Sequence, residues 1–257
     1  MRRMIVLAAG RGTRVGAVTD GMPKCMVPLE GTPLLSWLIR RAHEVVPEVV
    51  VVRGYQGQRL PAEDGVVFVE NPDFATTNMA YSLWCARDWF DDGFLLSYSD
   101  IFYNASVLAA VARSPAPIGV AVDRQWLPYW RRRFEDVVSN AETLRWGEAE
   151  AILDIGRKPE RIEDIEGQYI GLLEFQGAGV GALREFMQDR MVRTSRDAPP
   201  PLEVMYMTDV LRGLIDAGHQ VKGVAINGGW LEIDTPSDLE LARQLVRKEG
   251  DRLVVER

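Results

Sequence analysis

Leu7-Ala8-Ala9-Gly10-Arg11-Gly12-Thr13-Arg14 decides how the rest of this chain is read. Its first residue closes an apolar run, Met4 to Leu7, with the character of a first β-strand. Glycines at 10 and 12 let the backbone approach a bulky anion with no Cβ in the way. Arg11, Arg14 and, ten residues further on, Lys24 in Met22-Pro23-Lys24 place positive charge beside exposed N–H groups. Strand, glycine turn and cations together read as a cradle for a triphosphate.

Two familiar phosphate motifs do not fit. A P-loop needs G-x-x-x-x-G-K-[ST], and no such string follows the strand. The dinucleotide fingerprint needs a third glycine where this chain has Val15. Arginines inside the turn also oppose the close pyrophosphate approach that motif requires.

At 257 residues the chain fits one large α/β domain or two small ones. No internal repeat or long linker divides it, so a single domain over 1–257 is expected, with about 123–171 as a substrate-binding insertion. Apolar residues at 47% suffice for a sizeable core. The net charge of −7 argues against a nucleic-acid partner, so an anionic small substrate needs a local cationic pocket. Two cysteines, Cys25 and Cys85, allow neither a disulfide framework nor a zinc spacing and fit a reducing, cytoplasmic setting. No apolar run approaches the roughly 18 residues of a membrane span. Met1-Arg2-Arg3 has a signal-like charge, but the apolar stretch after it is too short.

Strand and helix alternate along the chain. Strands are expected at Met4–Leu7, Val49–Val52, Val66–Val69, Phe94–Ser97, Ile118–Val122, Tyr169–Phe175 and Val221–Ala225. A helix opens at Thr32-Pro33, with Pro at its first position, buries Leu34, Leu35, Leu38, Ile39, Ala42 and Val45, and stops at Pro47. Further helices are expected at Asn78 to Trp89, Val180–Gln188 and about Met205–Ala217. Glu142–Trp146 and Ala151–Ile155 read as an antiparallel pair. The last helix has Thr235 as N-cap, Pro236 at its first position and Asp238 completing a capping box.

A triphosphate arrives with magnesium, which demands hard oxygen ligands. Asp100 lies just past the carboxyl end of a buried strand, where ligands bind in open α/β sheets. Asp234 lies in Trp230-Leu231-Glu232-Ile233-Asp234, before the capped helix. Each has an ordinary alternative, a loop acid at 100 and a helix-dipole acid at 234. Their common placement over the cradle favours a shared cation.

The turn with Pro23-Lys24, then Ser99-Asp100, then Trp230-Leu231-Glu232-Ile233-Asp234-Thr235-Pro236, resembles the nucleotidyltransferases, or nucleotide-diphosphate pyrophosphorylases, over residues 4 to about 240. The chain is most similar to the cytidylyltransferases that activate phosphocholine or phosphonates, through Asn78-Met79-Ala80-Tyr81-Ser82-Leu83, the Trp126/Trp130 region, Ala141-Glu142 and Gly167-Gln168-Tyr169-Ile170-Gly171. The resemblance implies a Rossmann-like α/β/α sandwich with a mixed, mainly parallel sheet (a GT-A-like fold). It also implies Mg2+ on Asp100 and Asp234, CTP or another nucleoside triphosphate, and transfer of CMP to a small anionic acceptor with release of pyrophosphate. Hexose-1-phosphate enzymes of this family usually carry Glu-Lys-Pro, where this chain has Arg157-Lys158-Pro159, and Tyr98-Ser99-Asp100 replaces the Asp-x-Asp of some relatives.

The expected site follows. Lys24, Arg14, Asp100 and Asp234 are the catalytic set. Leu7, Ala8, Ala9, Gly10, Arg11, Gly12, Thr13, Arg14, Lys24, Asn78 and Ser82 surround the nucleotide, with Asn78 either a base reader or a helix cap. Tyr81, Trp126, Trp130, Arg133, Glu142, Lys158, Gln168 and Tyr169 are candidates for the acceptor. The aromatics fit a cage for a quaternary ammonium or the packing of a surface segment; the arginines fit a doubly anionic acceptor or a solvated face. Glu142 and Glu166 are candidate partners of an amine on the acceptor. A homodimer is open. The competing functions are a sugar-1-phosphate nucleotidyltransferase of the same fold and a catalytically idle nucleotide sensor.

Overall fold

The computed structural model describes residues 2–12, 21–192 and 200–257. Thr13, Arg14 and Val15 lie outside the described residues, as do Ala198 and Pro199.

The elements in chain order are β1 (Arg3–Ala8), β2 (Pro28–Leu29), β3 (Thr32–Pro33), α1 (Leu34–Ala42), β4 (Glu48–Arg53), β5 (Val66–Glu70), α2 (Met79–Cys85), β6 (Gly93–Tyr98), β7 (Ile101–Tyr103), α3 (Ala105–Ala112), β8 (Ile118–Asp123), α4 (Trp126–Arg133), β9 (Leu144–Trp146), β10 (Ile152–Ile155), β11 (Gln168–Gln176), α5 (Ala178–Val192), α6 (Met207–Asp216), β12 (Lys222–Ile226), β13 (Trp230–Glu232), α7 (Pro236–Leu245), β14 (Val246–Glu249) and β15 (Arg252–Val255).

Seven strands form the central sheet in the order β12-β8-β11-β6-β1-β4-β5. Neighbours run parallel except at β11, which is antiparallel to both β6 and β8. Strand alternation feeds two cores. Met4, Val6 and Ala8 face a layer containing α1, α3 and α7, whereas Ile5 and Leu7 face α2, α5 and α6. The result is the expected α/β/α sandwich.

β1 lies between β4 and β6, and the strand order reverses between β1 and β6. At such a reversal the connections leave to opposite faces and open a crevice beyond the strand ends. The residues beyond those ends are Ala9-Gly10 and Ser99-Asp100. The site is therefore set by topology before any side chain is considered.

Several boundaries differ from expectation. Pro33 caps α1 from outside, because Thr32-Pro33 pairs with Pro28-Leu29 in a small hairpin. α1 ends at Ala42, well before Pro47, and leaves Val45 exposed. The stretch from Asn78 to Trp89 breaks into α2 and a separate turn at Arg87–Trp89. The pair at 142–155 forms as expected, as β9 and β10. The aromatic-basic stretch at 126–133 is helix α4, and a C-terminal hairpin, β14–β15, follows α7. The capping box of α7 forms as expected: Thr235 Oγ1 accepts from the Asp238 N–H at 3.1 Å.

Candidate active site

The glycine turn is shaped around Lys24. Gly12 has φ +68°, and a Cβ there would overlap the Lys24 side chain. A side chain at 12 would therefore be strained and would also expel the lysine stem. Gly10 instead faces open space beside the cleft. Arg11 lies over the Tyr55 ring at 5.3 Å.

A second backbone feature brings the acids together. β13 pairs antiparallel with β7, setting Glu232 opposite Ile101, and the Ile233 N–H donates to the Asp100 carbonyl at 2.9 Å. This pairing ties 100 to 233 although they are distant in sequence. Lys24 Nζ donates to Asp100 Oδ2 at 2.7 Å and also to Asp234 Oδ1. Glu232 joins them: oxygens of Asp100, Glu232 and Asp234 all lie within 4.8 Å of one another.

The electrostatics follow from that crowding. Burial alone would lower the Lys24 pKa, but Asp100, Asp234 and Glu232 reverse the effect and raise it, so the ammonium stays charged. Burial raises the Glu232 pKa; Arg133 opposes that, while Asp234 and Asp100 reinforce it. Asp100 Oδ1 is buried without a hydrogen-bond partner among the described residues. Three convergent carboxylates, one with an unsatisfied buried oxygen, are a donor set suited to a hard divalent cation such as Mg2+.

Two clefts meet at this cluster. The first, about 200 Å³, runs beneath the turn and is lined by Leu7, Ala9, Gly10, Gly12, Lys24, Asn78, Ser82 and Asp100. The second, about 490 Å³, is lined by Glu142, Lys158, Gln168, Tyr169, Tyr206, Thr208, Glu232 and Asp234, with Trp130 also at its wall. Lys24 and Asp100 thus belong to one cleft and their partner Asp234 to the other.

Most expected nucleotide residues among those described line the first cleft. Ala8 and Arg11 do not: the Ala8 side chain is packed in the core beneath, and Arg11 lies over Tyr55. Asn78 precedes α2 but makes no side-chain cap bond; its Nδ2 donates to the Val204 carbonyl at 2.9 Å. Ser82 is held by Asn71 Nδ2 at 3.0 Å.

The acceptor set divides. Glu142, Lys158, Gln168, Tyr169 and Trp130 line the second cleft. Tyr81 lines neither, and its hydroxyl donates to Asp73 at 3.0 Å. Trp126 is buried edge-to-face on Trp130, whose Nε1 donates to the Asn140 carbonyl. Arg133 is withdrawn completely, its side chain fully buried between Glu232 and Asp238. Its charge is spent on carboxylates of the protein. The aromatic cluster therefore packs α4 against β13 and does not form an open cage. Glu166 accepts from the Trp146 backbone N–H at 2.6 Å. Glu232 was absent from the expected site. The available signal was its place at the end of the apolar stretch Trp230-Leu231, two residues before Asp234.

Comparison with known proteins agrees with this geometry. Residues 4–156 match the MobA-like NTP transferase domain, and the chain belongs to that family of nucleotidyltransferases. Over 250 residues it is 32% identical to the CTP:phosphoglutamine cytidylyltransferase of Campylobacter jejuni, covering 92% of this chain and 97% of that protein. It is 28% identical to the CMP-5'-(3-aminopropyl)phosphonate synthase of Streptomyces rubellomurinus, over 92% of this chain but 37% of that protein. The CTP:phosphocholine cytidylyltransferase of Streptococcus pneumoniae has the same fold, with TM-score 0.73 and 20% identity over 95% of this chain and 98% of that one. No helix among the described residues is long and apolar enough to cross a membrane.

Proposed function

We propose that this chain transfers CMP from CTP to a small acceptor that carries a phosphate or phosphonate at one end and an amine at the other, releasing pyrophosphate. The observation carrying this reading is the junction: Lys24 Nζ joins Asp100, on the nucleotide cleft, to Asp234, on the second cleft. A triphosphate under the turn and an acceptor in the second cleft come together there.

The acceptor oxygen attacks the α-phosphorus. Its new P–O bond forms as the bond to the bridging oxygen of the β-phosphate breaks, and pyrophosphate leaves with that electron pair. The reaction needs no nucleophile from the protein. Its difficulty is holding two anions in line, which is work for positioned cations and N–H groups. Gly10 and Gly12 line the cleft for the leaving phosphates, and the family resemblance adds Arg11, Thr13 and Arg14 to them. Lys24 neutralises charge at the α-phosphate. Asp100, Glu232 and Asp234 would hold magnesium, whose charge polarises the α-phosphoryl oxygens when bound.

Two details support the substrate class. With its amide nitrogen bound to Val204, Asn78 offers Oδ1 as an acceptor, which suits the exocyclic amine of cytosine. Glu142 lines the second cleft beside Gln168 and the hydroxyl of Thr208, which bonds to it, with the charge of Arg212 further off. That arrangement suits a primary ammonium, which has N–H groups to donate. A quaternary ammonium would want several exposed ring faces; of the rings at this cleft Tyr206 is exposed, whereas Trp130 and Trp230 are buried in the α4–β13 packing. The compounds in the two relatives' names, phosphoglutamine and CMP-5'-(3-aminopropyl)phosphonate, likewise pair phosphorus with nitrogen.

The test is a pyrophosphate-release matrix of four triphosphates against 2-aminoethylphosphonate, phosphocholine and hexose-1-phosphates, with Mg2+. Turnover is expected with CTP and the amine-bearing acceptor. Turnover confined to hexose-1-phosphates would make this a sugar nucleotidyltransferase. Tight nucleotide binding with no turnover on any acceptor would make it a sensor.

A further inference from the structure

We infer that Arg133 is a positioning residue that sets two of the three carboxylates of the site, Glu232 directly and Asp234 through Asp238. The inference rests on the metal-binding reading of the acid cluster and goes beyond it, because Arg133 touches no cleft.

Arg133 ends α4, and its side chain has no exposed surface. One guanidinium nitrogen lies 2.5 Å from Glu232 Oε2. Two others reach Asp238, at 2.8 Å to Oδ1 and 3.2 Å to Oδ2. Asp238 Oδ2 in turn accepts from the backbone N–H of Asp234 at 3.0 Å and of Thr235 at 2.9 Å. One planar cation therefore fixes the side chain of Glu232 and, one bond further, the backbone carrying Asp234. Rings of Tyr129, Trp130 and Phe134 enclose it at 5.4, 5.2 and 4.9 Å.

The chemistry requires this kind of support. Three carboxylates within 4.8 Å repel one another and would splay apart unless held. Arginine can hold them because its rigid fork serves two carboxylates in one plane. A lysine at the same place carries the charge but lacks the planar fork, so it cannot reproduce the two-nitrogen grip on Asp238 together with the Glu232 contact. The capping box of α7 thus has two duties: it starts the helix, and it transmits the position of Arg133 to Asp234.

The experiment is a titration of the full-length chain with Mn2+ alone, followed by the free-ion EPR signal, for wild type, Arg133→Lys, Asp238→Asn and Glu232→Gln. Thermal melts establish which variants are folded. Loss of a support outside the ligand set typically costs 10–100-fold in metal affinity. Folded Arg133→Lys is therefore expected to bind Mn2+ at least tenfold more weakly, with Glu232→Gln at least as weak. In turnover, kcat is expected to fall more than KM for CTP changes. A purely structural arginine would lower the melting temperature and leave the Mn2+ affinity of the folded variant alone; that result would overturn the inference. Should Arg133→Lys fail to fold, Asp238→Asn decides, and wild-type Mn2+ affinity there would overturn it equally. A wild-type chain that binds no Mn2+ would overturn the metal reading itself, an outcome distinct from either.

Discussion

Lys24 Nζ lies 2.7 Å from Asp100 Oδ2 across 76 residues of sequence. Lys24 is placed by its packing under Gly12, and Asp100 by its position past the end of β6 and its bond to Ile233. Lys24 opens a short 3-10 turn and Asp100 lies in the bend between β6 and β7, and both are fixed by backbone geometry. Substitutions here are therefore expected to affect chemistry before stability.

Lys24→Ala should remove the cation that faces the α-phosphate while leaving the sheet intact. The expected loss is on the order of 10²–10³ in kcat, the typical cost of one pre-aligned electrostatic contact. Pyrophosphate release and circular dichroism on the same preparation check both halves of this expectation.

Gly12→Ala should be damaging for a different reason. The residue has φ +68°, and an added Cβ overlaps the Lys24 stem. A non-glycine residue held in this region costs roughly 1–3 kcal/mol. Activity is expected to fall because Lys24 is displaced, whereas Gly10→Ala, with open space around it, should be milder on stability. Thermal melts of the two variants separate the effects.

Glu174 is expected to govern part of the pH dependence of stability. Burial pushes its carboxyl up to about 7 from an ordinary 4.5, with Arg2 opposing the shift. The folded state then holds this proton more tightly than the unfolded state does. Stability is accordingly lost as pH rises from about 4.5 through about 7. Glu174→Gln should flatten that loss, by on the order of 2 kcal/mol at pH 8 and little at pH 4. Denaturant midpoints at the two pH values measure it.

Chelation is expected to abolish turnover and leave the fold in place, since the three acids lie at a cleft junction and not in a core. Activity should return on adding Mg2+ to the EDTA-treated chain. Full activity after exhaustive chelation would remove the cation from the scheme.

Much of this molecule could be read from its residues, and the exceptions have physical causes. The continuous β-branched run Val49–Val52 reads as a strand covered on both faces, and it forms β4 with side chains in both cores. Asp100 stands out because strand ends are where open α/β sheets bind ligands, and Asp234 because it lies between a short apolar stretch and the capped helix. α4 was not recognised as a helix: four of its residues are aromatic or proline, poor helix formers rescued by packing on β13 and α7. Sequence points Arg133 toward an acceptor, because it cannot distinguish an exposed cation from one enclosed by Glu232 and Asp238. Glu232 does not stand out in the sequence, because Asp234 alone completes the expected pattern.

The decisive measurement is the rate of CTP-dependent pyrophosphate release by Asp234→Asn beside wild type, at saturating Mg2+ and amine-bearing phosphonate. Asp234 touches Lys24, lies on the acceptor cleft and neighbours Glu232. If the two clefts react at this junction, the folded variant should lose at least 10²-fold in kcat. A folded Asp234→Asn that turns over at the wild-type rate would contradict that placement of the reaction.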